Sequence, residues 1–179
     1  MEIPQKTFKL GLILFAINIL LFFGLLFLFS TQGSITEAQY FNYSVLISCF
    51  LLPALYASVA FYSVYSEAKL QPLHYKKIWR LAFIPMFVGG FLSMSSIFVF
   101  FNSSGSWAQD SLQRGWLDLM TANPNPEFEE KNQELINAMS DLSVNLFSLK
   151  NFFIFFSIVL FFYFLISTIF AIFIKNRRI

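Results

Sequence analysis

The chain alternates between long uncharged stretches and shorter polar ones, and this pattern predicts its architecture. Four stretches contain no Asp, Glu, Lys, Arg or His: residues 10–29, 43–65, 81–101 and 151–174. A helix of about 20 residues, rising about 1.5 Å per residue, crosses the roughly 30 Å apolar core of a bilayer. The pattern therefore predicts an all-α integral membrane protein with four transmembrane helices.

The polar segment between the third and fourth stretches, residues 102–149, is expected to form a helical extracytoplasmic insertion. Residues 106–120 carry apolar side chains at helical spacing, and the Asn-Pro-Asn-Pro run at 123–126 breaks that pattern. A second apolar stripe with spacings of three, four and seven predicts another helix over residues 127–145. The whole chain, residues 1–179, is interpreted as a single membrane domain with a small helical cap.

The distribution of charge predicts the orientation. Four crossings put both termini on one side, and nine of the twelve Lys and Arg residues fall there: Lys6, Lys9, Lys69, Lys76, Lys77, Arg80, Lys175, Arg177 and Arg178. The opposite side has Arg114, Lys131 and Lys150, together with eight of the ten acidic residues. Because cytoplasmic loops of membrane proteins are enriched in Lys and Arg, both termini are predicted to be cytoplasmic.

Composition supports a membrane protein and argues against several other classes. The chain is 57% hydrophobic, 20% aromatic and 12% charged, whereas soluble domains carry about 25% charged residues. Its net charge of +2 is too small to indicate a nucleic-acid partner. The one cysteine, Cys49, excludes an intramolecular disulfide and is expected to be a small buried hydrophobe.

Polar residues inside the four stretches indicate packing rather than transport. The stretches contain no ionisable residue of the kind that proton-coupled and ion-coupled transporters keep at mid-membrane depth. Asn18 is expected to make a helix-to-helix hydrogen bond rather than to bind a substrate. Gly89, Ser93 and Ser96 lie on one face of the third stretch, and small residues let helices approach closely. We therefore predict a helix-packing seam of Asn18, Gly89, Ser93 and Ser96, in which Gly89 contacts another span.

A basic run before the third stretch is the one candidate ligand contact. Lys69, Lys76, Lys77 and Arg80 crowd a short loop. Together with His74, the last three can bind an anionic lipid headgroup, to which each basic side chain can contribute about 1 kcal/mol. The alternative is that the run only anchors the topology. The outer carboxylates show no spacing that selects a catalytic or metal-binding pair, and no phosphate-binding glycine loop is present. We therefore predict no catalytic, cofactor-binding or metal-binding residues, and no cofactor.

Several runs together resemble a known family. These are the basic run 73–83, the glycine-containing third span, the Pro126-Glu127-x-x-Glu130 segment and the closing basic run 174–178. They are similar to an uncharacterised four-span bacterial inner-membrane family, domain of unknown function 4199, common in Bacteroidota. Members place a Tyr-Lys-x-x-Phe-like run before the third span, and Trp79 stands where that aromatic residue falls. The resemblance implies a fold and a bacterial inner-membrane location, and it carries no catalytic residues.

These features lead to a hypothesis of a non-enzymatic inner-membrane accessory or scaffold subunit. Its expected partners are the lipid bilayer and either another membrane protein or a second copy, with no nucleic acid. The alternative is a lipid-binding or lipid-handling envelope protein that assists glycoconjugate synthesis or transport. A third hypothesis is an enzyme that acts on a lipid through the outer carboxylates. A deep groove ending at Lys76, Lys77 or Arg80 would favour lipid binding, whereas a close-packed bundle with an exposed apolar stripe would favour a partner.

Overall fold

The fold was analysed in a computed structural model that describes residues 5–31, 35–70, 72–122 and 147–175. Every regular element in these ranges is helical: α1 (Gln5–Ser30), α2 (Glu37–Leu46), a π-turn (Ile47–Leu51), α3 (Leu52–Ala68), α4 (Tyr75–Phe101), α5 (Ser106–Ala122) and α6 (Leu149–Lys175). Four helical stretches are long and apolar enough to cross a membrane, with α2, the π-turn and α3 counting as one. The predicted all-α fold with four spanning helices is confirmed.

The spanning helices extend beyond the uncharged stretches that predicted them. The second one, Glu37–Ala68, has 32 residues, which at about 1.5 Å per residue is roughly 48 Å and well over the roughly 30 Å that a bilayer core requires. Its first turns are therefore polar helix outside the apolar core. The basic run before residue 81 is also helical from Tyr75 onwards. The prediction that this run lies in a loop is wrong for Lys76, Lys77 and Arg80, which are on α4.

The second spanning helix has a defined start and an irregular middle. The Thr36 hydroxyl accepts a hydrogen bond from the Gln39 backbone N–H at 3.2 Å, and the Gln39 side-chain oxygen accepts one from the Thr36 N–H at 2.9 Å, a capping box. The wide turn Ile47–Leu51 comes just before Pro53. Pro53 has no N–H to donate, so the regular ladder of hydrogen bonds is interrupted where the turn widens. Cys49 lies on this turn and is exposed, so the expectation of a buried cysteine is wrong.

Helix α4 is the centre of the bundle and packs against α1, α3 and α6. The start of α1 lies beside the end of α3, since the Lys6 ammonium is 5.7 Å from the centroid of the Tyr62 ring. The start of α4 lies beside the end of α6, since the Trp79 indole N–H donates to the Thr168 hydroxyl at 3.3 Å. These four helix termini form one end of the bundle, which we call the basic end because Lys6, Lys9, Lys69, Lys76, Lys77, Arg80 and Lys175 lie there.

Helix α5 lies at the opposite end, which we call the cap end. A cluster of buried residues joins four helices there: Leu26 of α1, Tyr40 of α2, Phe101 of α4 and Ala108 of α5. The rings of Phe29 and Tyr40 stack with centroids 4.4 Å apart. The predicted helix over residues 106–120 is thus confirmed as α5, whereas the helix predicted over 127–145 lies outside the described residues.

Candidate functional site

Helices α1 and α4 meet backbone to backbone at two glycines. A Cβ atom added at Gly89 would lie 2.7 Å from the Leu14 Cβ and 3.0 Å from the Gly11 carbonyl oxygen. A Cβ atom at Gly11 would lie 2.8 Å from the Val88 Cβ and 3.1 Å from the Pro85 carbonyl oxygen. Within a bilayer, association of helices depends on this kind of close van der Waals contact rather than on hydrophobic burial. A larger side chain at Gly89 would therefore push α1 away from α4.

One side chain from each spanning helix meets in a buried, hydrogen-bonded group that we call the tyrosine cluster. Its members are Asn18 of α1, Tyr56 of α3, Ser93 of α4 and Tyr163 of α6, and all four are buried. The Asn18 amide N–H donates to the Tyr56 hydroxyl oxygen at 3.1 Å. The hydroxyls of Ser93 and Tyr163 lie close to that of Tyr56. The Tyr56 and Tyr163 rings stack with centroids 5.2 Å apart, so the cluster joins all four spans.

Two of the buried hydroxyls in the tyrosine cluster have assigned hydrogen bonds. The Ser93 hydroxyl donates its one hydrogen to the Gly89 carbonyl oxygen at 2.7 Å. The Tyr56 hydroxyl oxygen accepts from the Asn18 amide, which joins α1 and α3. This arrangement satisfies buried hydroxyls that lipid could not satisfy, and it links the helices to one another.

Tyr163 reaches the cluster by packing against Gly90. Its ring and hydroxyl occupy the space that a Cβ at Gly90 would need. The neighbouring residues Gly89 and Gly90 therefore face different helices, α1 for the first and α6 for the second. Helix α6 presents a narrow buried stripe to the bundle, consisting of Tyr163, Ser167, Ala171 and Ile174. Gly89 and Gly90 thus allow α1 and α6 to pack closely against two different sides of α4.

Three of the four predicted seam residues lie in this contact region. Asn18 and Ser93 are buried members of the tyrosine cluster, and Gly89 lies against α1, whereas Ser96 is half-buried. Sequence reasoning did not include Tyr56 or Tyr163. A signal was available, because a tyrosine in the middle of an apolar span carries a hydroxyl that needs a partner in the absence of water.

The candidate headgroup-binding residues lie at the basic end. His74 immediately precedes α4 in an extended conformation, with φ −80° and ψ 151°. Its side chain is exposed, as are those of Lys76 and Arg80, whereas that of Lys77 is half-buried. Lys76 and Arg80 are four residues apart and so share one face of the first two turns of α4. The structure thus presents His74, Lys76 and Arg80 to the surroundings at one end of a spanning helix.

Aromatic side chains lie at the basic end, where the apolar part of the bundle begins. The Trp79 ring stacks on Phe83 with centroids 4.5 Å apart, in addition to its hydrogen bond to α6. The Lys69 ammonium lies 4.4 Å from the centroid of the Tyr65 ring, within the range of a cation–π contact. Aromatic rings and lysines with extended apolar stems are favoured where a membrane meets water. The features of this end are those of a membrane–water interface.

At the cap end, α5 docks on the start of α2 through Gly115 and an ion pair. A Cβ at Gly115 would overlap the Glu37 carbonyl oxygen and lie 3.1 Å from the Ala38 nitrogen. Arg114 donates through Nε to both Glu37 carboxylate oxygens at 3.0 Å and through Nη2 to one of them at 2.7 Å. These hydrogen bonds raise the pKa of Arg114 above its ordinary value. Because both side chains are partly exposed, the pair contributes only about 0–1 kcal/mol, and close backbone contact dominates.

An open apolar groove of about 590 Å³ lies on the cap-end half of α1. Its lining residues are Leu20, Phe23, Gly24, Leu26, Phe27, Ser30 and Trp107. This groove is at the opposite end from Lys76, Lys77 and Arg80, so it is not the headgroup-terminated groove that the lipid-handling hypothesis requires. Among the residues that the structure describes, no three His, Cys, Asp or Glu side chains form a group that could hold a metal ion.

A comparison with known protein families identifies the family of this chain. The model of the family described as Protein of unknown function (DUF4199) matches residues 9–176, which include α5 and nearly all of the four spanning helices. The chain belongs to this family. The family membership inferred from the sequence is confirmed, and the described residues of this DUF4199 member contain the apolar helices of a multi-pass membrane protein. No curated protein and no solved structure matched the chain.

Proposed function

We propose that this protein is a non-enzymatic membrane subunit that supports a partner membrane protein, which it contacts through the exposed face of α6. The observation that carries the proposal is the asymmetry of this helix. It buries one narrow stripe against the bundle and exposes a broad surface of large apolar side chains: Phe153, Ile154, Phe155, Ile158, Phe161, Phe162, Phe164, Leu165, Ile169, Ile172 and Phe173.

Two further features support an accessory role over a chemical one. Buried polar side chains at mid-bundle form the tyrosine cluster, in which the Asn18–Tyr56 hydrogen bond and the stacked rings of Tyr56 and Tyr163 join helices, so these groups serve helix packing. The exposed face of α6 is rich in phenylalanine, and aromatic side chains are large and enriched at protein interfaces. A close-packed bundle with such a face is the arrangement that the scaffold hypothesis requires.

The proposed location is the bacterial inner membrane, with both termini in the cytoplasm. The support for the orientation is the clustering of basic residues at the end where α1 begins and α6 ends, because Lys and Arg favour the cytoplasmic side. The support for the bacterial inner membrane is the resemblance stated from the sequence. In this orientation the cap end, with α5, is extracytoplasmic.

The test of the accessory role is photocrosslinking from the exposed face of α6. We expect benzoylphenylalanine in place of Phe161, which is 63% exposed, to form a discrete protein adduct in native membranes. The same probe in place of Phe50, which is 70% exposed on the π-turn, serves as the matched control and is expected to give no such adduct. The crosslinked protein, identified by mass spectrometry, is expected to lose abundance in cells that lack this chain. Adducts with lipid alone, or a partner whose abundance is unchanged, would contradict the proposal.

A second candidate function is binding of anionic lipid at the basic end, as the lipid-handling alternative requires. The exposure of Lys76 and Arg80 on one face of α4, beside His74, favours it. Each cation near a membrane surface contributes about 1 kcal/mol, so the K76Q/R80Q variant is expected to retain roughly 30-fold less cardiolipin than the parent protein in native mass spectrometry. Lys150→Gln, at the cap end, is the control. Equal retention by the parent and K76Q/R80Q would show that these residues do not bind the headgroup.

A further inference from the structure

The groove on the cap-end half of α1 has the form of a site for one narrow apolar ligand. Leu20, Phe23, Gly24 and Phe27 lie at spacings of three and four, so they form one stripe along the helix. The middle of the stripe is Gly24, where an added Cβ would meet nothing within 4 Å. The volume of about 590 Å³ falls within the range of roughly 300–1,000 Å³ that is typical of ligand pockets.

We propose that this groove binds an acyl chain of a phospholipid from the membrane leaflet at the cap end. The lining is apolar, and its walls face away from the bundle, since Leu20 is 72% and Phe27 is 66% exposed. The groove lies along an uncharged spanning helix, so hydrocarbon chains of the bilayer surround it at high concentration. An acyl chain fills the space with apolar contacts and needs no polar partner.

Another helix fits this notch poorly. Close backbone contact between helices in membranes is favoured by small residues repeated at four-residue spacing. The residues four positions before and after Gly24 are Leu20 and Leu28, and both are large. The notch is therefore one residue long, whereas a helix with its side chains is about 10–12 Å wide. The geometry favours a flexible hydrocarbon chain over a helix of a partner or of a second copy.

The acyl chain would meet the membrane–water interface at the cap-end rim of the groove. Trp107 of α5 lines this rim, and its ring stacks against Phe29 with centroids 6.2 Å apart, which holds it beside α1. Tryptophan is enriched at membrane–water interfaces. The Ser30 hydroxyl donates to the Phe27 carbonyl oxygen at 3.0 Å and is thus satisfied without a ligand. This site is distinct from both the exposed face of α6 and the basic end, so it goes beyond the proposed function.

Quenching of Trp107 fluorescence by brominated lipid tests the proposal. In the W79F/W116F variant Trp107 is the remaining tryptophan, and thermal unfolding checks that this variant is folded. We expect phosphatidylcholine with brominated acyl chains, added to the protein in detergent, to quench the fluorescence in a saturable manner at one lipid per protein. Quenching that rises linearly without saturation would mean general contact with lipid and would overturn the proposal.

Substitutions of Gly24 distinguish this groove from other sites. Gly24→Phe fills the notch and is expected to abolish the saturable quenching, and the smaller Gly24→Leu to weaken it, so that one variant remains informative if the other fails to fold. Ala16→Phe, at an exposed position of α1 outside the groove, is the control and is expected to leave the saturable quenching unchanged. Saturable quenching that persists in both Gly24 variants would overturn the proposal that the acyl chain binds in this groove. With Cys49 replaced by serine, formation of a disulfide-linked dimer through Gly24→Cys would show instead that a second copy occupies the groove and would overturn the proposal.

Discussion

Replacement of Gly89 by leucine is expected to destabilise the bundle more than any lipid-facing substitution. At Gly89 even a Cβ atom would lie 2.7 Å from the Leu14 Cβ and 3.0 Å from the Gly11 carbonyl oxygen. The second contact is with backbone, which cannot rotate away as a side chain would. Overpacking of a close-packed interior lowers the free energy of unfolding by about 1–3 kcal/mol, and α1 and α4 would have to separate.

The effect of Gly89→Leu should extend to the tyrosine cluster. The Gly89 carbonyl oxygen accepts the hydrogen bond from Ser93, so a shift at Gly89 moves a member of the cluster. A shift of α1 also moves Asn18, the donor to Tyr56. One substitution at the α1–α4 contact therefore disturbs a cluster whose members come from all four spans.

The measurement is thermal unfolding of the purified protein in detergent, with Phe91→Leu as the matched control. Phe91 lies two residues further along α4 and is 42% exposed, so shortening its side chain removes mainly contacts at the bundle surface. We expect a much smaller loss of stability from this variant than from Gly89→Leu. Similar unfolding temperatures for the two variants would show that α1 and α4 are not in close contact at Gly11 and Gly89.

The sequence predicts the spanning helices because the bilayer imposes a simple rule. Backbone polar groups have no partner in hydrocarbon, so each crossing must be a closed helix of about 20 apolar residues. The uncharged stretches at 10–29 and 151–174 follow this rule, and α1 and α6 form there. The ends of the helices are less predictable, since polar residues outside the core, such as Glu37 and Tyr75, can extend a helix freely.

The irregular turn and the tyrosine cluster depend on information that periodicity does not contain. Pro53 signals an interrupted hydrogen-bond ladder, but the widening of the helix over Ile47–Leu51 depends on how the neighbouring turns relax. In the same way, the bond from Asn18 to Tyr56 joins residues 38 positions apart. It forms because of how α1 and α3 rotate against each other, which is set by packing across the whole bundle. The contact at Gly89 can be predicted from the sequence more readily, because the spacing of Gly89, Ser93 and Ser96 already indicates a face of α4 that another helix can approach.

The proposed orientation assigns the functional surfaces at the two ends of the bundle to the two sides of the membrane. If the basic end is cytoplasmic, the candidate headgroup residues meet the inner leaflet, and the acyl-chain groove and α5 belong to the outer side. The opposite orientation would reverse each of these assignments. The expected difference in labelling between the two ends is all-or-none, because a charged thiol reagent does not cross an intact membrane.

The most direct measurement is cysteine labelling of intact spheroplasts with a membrane-impermeant thiol reagent. Cys49 is exposed, so it is first replaced by serine, and single cysteines are then placed at Met120 of α5 or at Lys69 at the basic end, both of which are exposed. We predict that Met120→Cys is labelled in intact spheroplasts and that Lys69→Cys is labelled only after the membrane is permeabilised. Labelling of Lys69→Cys in intact spheroplasts, with Met120→Cys protected, would contradict the proposed orientation, in which the basic end is cytoplasmic.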